Sequence, residues 1–99
     1  MDHLTYKPLT HKTLVIVNPD DRLTSDIMTS FEYTEIVSQR AKQIQNGGVC
    51  MTDVLNLIDP IAMAEKELRD RKCPLKVVRH RTDKIIEIWS ANELALPNF

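Results

Sequence analysis

The sequence predicts a small single domain of the α+β class, with two main helices, a C-terminal β-hairpin and an added N-terminal strand. Three observations support this prediction. Two segments place apolar residues at helical spacing, and each follows a residue that commonly caps a helix. Two β-branched segments near the C-terminus are separated by three polar residues, which is typical of a hairpin. A further β-branched segment, at residues 12–17, precedes both helices.

The length and composition of the chain limit the class of protein. Ninety-nine residues are enough for one domain and too few for two. The chain is 42% hydrophobic, so it can form a core, but at this size much apolar surface stays exposed for a partner to cover. No apolar run approaches a membrane span, and the first ten residues lack the apolar centre of a signal peptide. We therefore expect an intracellular protein without membrane contact.

Positive charge is concentrated between Lys66 and Lys84, although the whole chain is close to neutral. Such a stretch fits a nucleic-acid surface, an acidic protein surface, or merely a solvated helix end and hairpin. No aromatic residues interleave with the basic ones for base stacking. We therefore predict no direct, sequence-specific contact with nucleic acid.

The first 28 residues are predicted to form an N-terminal arm with one strand at residues 12–17. The apolar run from Leu14 to Val17 does not alternate with polar residues, which favours a strand covered on both faces. An exposed edge of this kind would promote aggregation. We therefore expect the strand to pair with the C-terminal hairpin or with a partner protein.

The first helix is predicted to begin near Thr29, because Thr29 can cap it and Glu32 completes a capping box. Arg40 falls in the middle of the apolar face of this helix, and an unpaired buried guanidinium would be costly. We expect Arg40 to meet a carboxylate of this chain or of a partner, or to extend to the edge of the domain. The apolar face consists of Tyr33, Ile36, Val37, Ala41 and Ile44.

The second helix is predicted to begin at Asp59 and Pro60, a cap followed by a first-turn proline. We expect it to bury Ile61, Ala64 and Leu68 and to end at Cys73-Pro74. Two strands follow, at residues 75–80 and 84–89, and a short turn or helical cap spans residues 90–94. Trp89, the only tryptophan, is interpreted as a core residue or an interface anchor.

The sequence predicts no catalytic residue, no metal site and no cofactor. The histidines and cysteines lack the spacing of metal ligands, and no local signature marks a nucleophile. We interpret both cysteines as reduced thiols. Those residues are His3, His11, His80, Cys50 and Cys73.

Several segments, in order along the chain, resemble a small subunit of multisubunit RNA polymerases. Residues 22–32 read Arg-Leu-Thr-Ser-Asp-Ile-Met-Thr-Ser-Phe-Glu, similar to Arg-x-Thr-Thr-x-x-Met-Thr-Lys-Tyr-Glu of eukaryotic members. Matches continue to about Leu96, at residues 40–44, 59–61, 64–68, 72–75, 79 and 88–94. The resemblance is to the family of bacterial omega, archaeal subunit K and the sixth common subunit of eukaryotic polymerases. A short, divergent, eukaryote-like copy would suit a large DNA virus.

The resemblance implies a non-catalytic subunit of a DNA-directed RNA polymerase that binds the largest subunit and promotes its assembly and stability. It implies that residues 29–99 form the omega/K-like domain, located in the nucleus of a cell or in the cytoplasm or virion of a virus. The alternative is a free-standing adaptor that binds a protein by strand addition. Candidate partner-binding residues carried over by position are Thr29, Phe31, Glu32, Arg40, Ala41, Ile44, Asp59, Pro60, Arg79, Trp89, Glu93 and Leu94.

Overall fold

The computed structural model describes residues 14–54 and 56–97. Two helices and a three-stranded sheet form one small domain, which confirms the predicted α+β class. The elements in chain order are β1 (Val15–Ile16), a 3₁₀ turn (Pro19–Asp21), α1 (Ser30–Gln45), α2 (Pro60–Arg69), β2 (Lys76–His80), β3 (Ile85–Ser90) and a second 3₁₀ turn (Ala91–Glu93).

The sheet has the strand order β1-β3-β2, in which β2 and β3 are antiparallel and β1 is parallel to β3. The N–H of Val15 donates to the carbonyl of Lys84 (2.7 Å), and the N–H of Val17 donates to that of Ile86 (3.0 Å). The N-terminal strand therefore pairs with the hairpin, one of the two arrangements expected from the sequence.

The expected length and burial of the N-terminal strand are wrong. β1 comprises only Val15 and Ile16, whereas residues 12–17 were expected to be extended, and residues 12 and 13 lie outside the described residues. The two side chains are 54% and 58% exposed, so the strand is not covered on both faces. The physical reason is its position at the edge of the sheet: β3 pairs with its backbone, and the packing over its two faces is too sparse to bury the side chains.

Helix α1 begins as its sequence predicts. The Thr29 hydroxyl accepts from the Glu32 N–H (3.0 Å), and the Glu32 carboxylate accepts from the Thr29 N–H (3.0 Å), which completes the capping box. Ile36, Val37 and Ala41 are buried on the predicted face. The helix ends at Gln45, and Gly47, just beyond the C-cap Asn46, adopts a φ of 103° that stops it from continuing.

Helix α2 begins at the predicted cap, since the Asp59 carboxylate accepts from the Ile61 N–H (3.1 Å). Its end was predicted too late: the helix stops at Arg69, because Arg71 adopts a left-handed φ of 59° and Lys72 donates its N–H to the Glu67 carbonyl (2.9 Å). This turn ends the helix before Pro74.

The predicted buried face of α2 is partly wrong. Ala64 and Leu68 are buried, but Ile61 is 51% exposed. Ile61 lies in the first turn beside an open groove that it shares with Ala41 and Gln45, so α1 does not cover it.

The core lies where both helices meet the hairpin. It consists of Met28, Ile36, Val37, Ala41, Ala64, Leu68, Cys73, Val77, Trp89, Ala91 and Leu94. No helix in the described ranges is long and apolar enough to cross a membrane.

Candidate partner-binding surface

Arg79 joins strand β2 to the start of α1 and to the segment before it. Its guanidinium forms two parallel hydrogen bonds of 2.9 Å with the Glu32 carboxylate, the geometry that arginine favours with acids. The same group donates to the hydroxyl of Thr24 (3.0 Å) and to the carbonyl of Ile27 (3.1 Å). Burial opposes ionisation of Glu32, but the hydrogen bonds from Arg79 and Thr29 lower its pKa. Residues 24–32 are therefore attached to the sheet by a charged group.

Glu87 is a second anchor for this segment, and it is fully buried on β3. Its carboxylate accepts from the N–H of Leu23 (2.9 Å), the hydroxyl of Thr24 (2.5 Å) and the indole N–H of Trp89 (3.0 Å). Arg81 lies 3.5 Å away. Burial raises the pKa of Glu87, but the hydrogen bonds outweigh burial and lower that pKa to about 2. The group is therefore ionised at neutral pH.

Trp89 is a core residue whose ring meets two cations. The Arg22 guanidinium carbon lies 4.1 Å from the ring centroid, and that of Arg79 lies 5.4 Å from it. Arg22 also donates to the carbonyl of Ile88 (2.6 Å) and to the carboxylate of Glu93 (3.3 Å). Both ends of residues 22–32 are thus held against the hairpin.

Arg40 has its carboxylate partner within the chain. Its Nε and Nη2 atoms donate to the two oxygens of Glu67 at 2.6 and 2.9 Å, and both side chains are buried. Arg40 also donates to the Val49 carbonyl (2.7 Å), and Glu67 accepts from the N–H of Met51 (2.6 Å). This pair connects both helices to the loop between them. Of the three alternatives that the sequence left open for Arg40, the structure therefore shows the carboxylate of the same chain.

The candidate partner-binding residues occupy different environments. Glu32, Arg40, Ala41, Trp89 and Leu94 are buried, and Ile44, Pro60 and Arg79 are partly buried. Thr29, Asp59 and Glu93 are exposed. Thr29 and Asp59 cap the two helices, and Glu93 completes the capping box of the second 3₁₀ turn. Phe31 differs from these, because it is 50% exposed and offers an apolar ring to solvent. Most of the set thus supports the fold, and contact of these residues with a partner stays a prediction.

Sequence reasoning missed a set of exposed apolar side chains. Leu23 is 76% exposed, although Arg22 and Thr24 on either side of it bond to the hairpin. Ile27 is 53% exposed, although the next residue, Met28, is buried. Their spacing follows neither helical nor strand periodicity, so no pattern indicated their exposure. Apart from Phe31 and the two residues of β1, the other large apolar side chains that are exposed are Val49, Met51, Ile58 and Ile61.

An open groove of about 460 Å³ lies between residues 24–32 and strand β2. Ile27 and Phe31 line it from the first segment, and Val78 and His80 line it from the strand. We call this space the β2 groove. It is mostly apolar and open to solvent, as expected of a site that takes up part of another protein.

The described part of the chain shows no cluster typical of a metal centre or a reactive thiol. No group of three or more His, Cys, Asp or Glu side chains within residues 14–54 and 56–97 is placed to hold a metal. Both cysteines are free, and burial raises the pKa of the Cys73 thiol, which makes it less reactive at neutral pH.

Comparison with known proteins gives a consistent result. No family model matches the chain. The chain is 38% identical over 91 residues to the DNA-directed RNA polymerase RPB6 homolog of African swine fever virus (strain Badajoz 1971 Vero-adapted), which covers 87% of the chain and 61% of the relative. It is 34% identical over 95 residues to subunit RPABC2 of RNA polymerases I, II and III of Saccharomyces cerevisiae, covering 94% and 61%.

A plant relative is similar to the same extent. The chain is 35% identical over 95 residues to subunit 6B of RNA polymerases II and V of Arabidopsis thaliana, covering 94% of the chain and 66% of the relative. The chain thus spans about three fifths of the length of the viral and yeast relatives. The viral and the cellular relatives are all subunits of DNA-directed RNA polymerases, and the alignments include most of this chain. The chain therefore belongs to the subunit 6 family of DNA-directed RNA polymerases.

Proposed function

We propose that this chain is a non-catalytic subunit of a multisubunit DNA-directed RNA polymerase, where it binds the largest subunit and promotes its assembly and stability. The observation that carries the proposal is the arrangement of residues 22–32. Arg22, Thr24 and Glu32 face the domain and form its polar anchors, whereas Leu23 and Phe31 face solvent.

This arrangement supports binding because the exposed apolar groups stand on a fixed backbone. Leu23 donates its own N–H to the buried Glu87, so the backbone that carries this exposed side chain is held at a defined position. A surface that is ordered before binding loses little conformational entropy when it meets its partner. A small number of side chains commonly provides most of the binding energy of an interface.

The polar groups of the domain support a structural role rather than a chemical one. Glu32, Glu67 and Glu87 are bonded to arginines or to backbone and side-chain donors of the same chain. No buried carboxylate among the described residues is left to act as a general base. We propose that the chain acts within a hetero-oligomer, in the nucleus if it is cellular and in the cytoplasm or virion if it is viral.

Co-expression with the largest subunit encoded by the same genome tests this proposal. The tagged chain should co-purify with that subunit, and Leu23→Ser or Phe31→Ser should reduce the recovered amount at least about tenfold, since each removes a large apolar anchor. Ile58→Ser is a matched control, because Ile58 is 92% exposed and lies outside residues 22–32.

Two outcomes would contradict the proposal in different ways. Loss of co-purification with the wild-type chain would reject the polymerase partner. Equal recovery of all three variants would keep the partner and reject residues 22–32 as its surface. A chain that remains monomeric and binds other proteins instead would favour the adaptor alternative.

A further inference from the structure

The outer edge of β2 is open within the described part of the chain. Leu75 and Arg81 flank this strand and both bond to the β3 side, through Ala91 (3.0 Å) and Ile85 (2.8 Å) respectively. Hydrogen-bonded pairs alternate along an antiparallel ladder, so Val77 and Arg79 also point their backbone groups toward β3.

The backbone N–H and C=O groups of Lys76, Val78 and His80 consequently point away from β3. The described sheet ends at β2, and no other strand among residues 14–54 and 56–97 pairs with that side. An unpaired edge of this kind is a template for another strand.

The space beside this edge is long enough for a strand. The β2 groove lies beside Val78 and His80, and a smaller groove of about 180 Å³ continues beside Lys76 and Val78, between β2 and α1. Together they follow the whole of β2, whose five residues extend about 17 Å.

The chemistry of the edge indicates what kind of segment fits. Residues 76–82 contain Lys76, Arg79, His80 and Arg81 and no acidic residue. Arg79 is neutralised by Glu32, but Lys76 and His80 are exposed at the two ends of the strand. Ile27 and Phe31 line the groove between these ends with apolar surface.

We propose that the outer edge of β2 binds an extended segment of the polymerase partner as a fourth strand, with an acidic residue near Lys76 and a large apolar side chain in the β2 groove. This inference rests on the proposed function and adds the manner of binding. Main-chain hydrogen bonds supply affinity in such complexes, and the groove supplies specificity.

Proline substitutions at the two edges of the sheet test the inference. Val78→Pro removes an outward N–H without removing a bond to β3, and prolines are tolerated at such edge positions. Ile16→Pro is the matched control, because Val15 and Val17 donate to β3 and the Ile16 N–H therefore points outward from the opposite edge. Binding to the co-expressed largest subunit should weaken about tenfold or more for Val78→Pro and stay unchanged for Ile16→Pro.

Hydrogen exchange of the wild-type chain provides a measurement that does not depend on the folding of the variants. The amides of Lys76, Val78 and His80 should exchange more slowly in the complex with the largest subunit than in the free chain. Equal exchange in the two states, or full binding by a folded Val78→Pro chain, would overturn the fourth strand while leaving the proposed function intact. Failure of the wild-type chain to form the complex would instead reject the proposed function together with this occupant.

Discussion

At the scale of single residues, Arg40 shows how a charge can lie on an apolar helix face. Its position was predictable from helical geometry, but the identity of its partner was not. Glu67 is 27 positions away, and the turn that presents it depends on how α2 packs against α1. The sequence therefore indicated that a carboxylate was needed without locating it.

We predict that Arg40→Ala lowers the free energy of unfolding by roughly 3–5 kcal/mol, because it leaves the buried Glu67 carboxylate without its cation. Arg69→Ala is a suitable control, since Arg69 is an exposed arginine on α2. Urea unfolding of both variants measures the difference. A cost for Arg40→Ala no larger than the cost for Arg69→Ala would show that the pair contributes little.

Glu87 predicts a specific dependence of stability on pH. Its pKa is about 2 in the folded chain against an ordinary value of 4.5, so the unfolded chain binds more protons as the pH falls. The stabilisation is present above about pH 4.5 and is lost as the pH approaches 2. Glu87→Gln should be less stable than the wild type at pH 7, and the difference should shrink toward pH 2. A difference that stays constant across this range would refute the assignment.

At the scale of elements, the start of α1 was predicted correctly because its signals are local. A capping box needs only residues that are three positions apart, and the chain carries both. The end of α2 and the burial of Glu87 cannot be predicted from local signals of this kind. Arg71 is held in the left-handed region although it is not a glycine, and Glu87 occupies a strand position that would be polar and exposed in a free hairpin.

The cap itself can be tested by two threonines of the same region. Thr29→Ala should lower the free energy of unfolding by about 0.5–2 kcal/mol, because the Glu32 N–H loses its acceptor. Thr34→Ala should be neutral or slightly stabilising, since Thr34 is exposed within the helix and alanine favours helices. Chemical denaturation of the two variants measures both effects, and equal costs would argue against the cap.

At the scale of the whole molecule, the segment just before α1 pairs with the segment after the second 3₁₀ turn. The N–H of Met28 donates to the carbonyl of Ala95, and the N–H of Ala95 donates to that of Asp26, both at 2.8 Å. Leu94 is fully buried beside this junction. No periodicity predicts such a contact, because the two segments are nearly seventy positions apart. Among the sequence observations, only the family resemblance, which extends from Arg22 to about Leu96, included both segments.

We predict that Leu94→Ala lowers the free energy of unfolding by about 2–5 kcal/mol, because it opens a cavity where the ends of the domain meet. Leu23→Ala removes the same atoms from a side chain that is 76% exposed, so it should change stability little. Thermal unfolding distinguishes the two. Similar losses would mean that Leu94 is not the core residue described above.

The attachment of residues 22–28 to residues 79–95 has a consequence for protein synthesis. When a ribosome has made only the first half of the chain, Arg22, Thr24 and Met28 still lack their hydrogen-bond partners Ile88, Glu87 and Ala95. Contacts between such distant segments form late, since a long loop must close first. The segment that exposes Leu23 and Phe31 therefore takes its final conformation only after translation has passed Ala95. A partner that recognises this display would accept finished chains and pass over truncated ones.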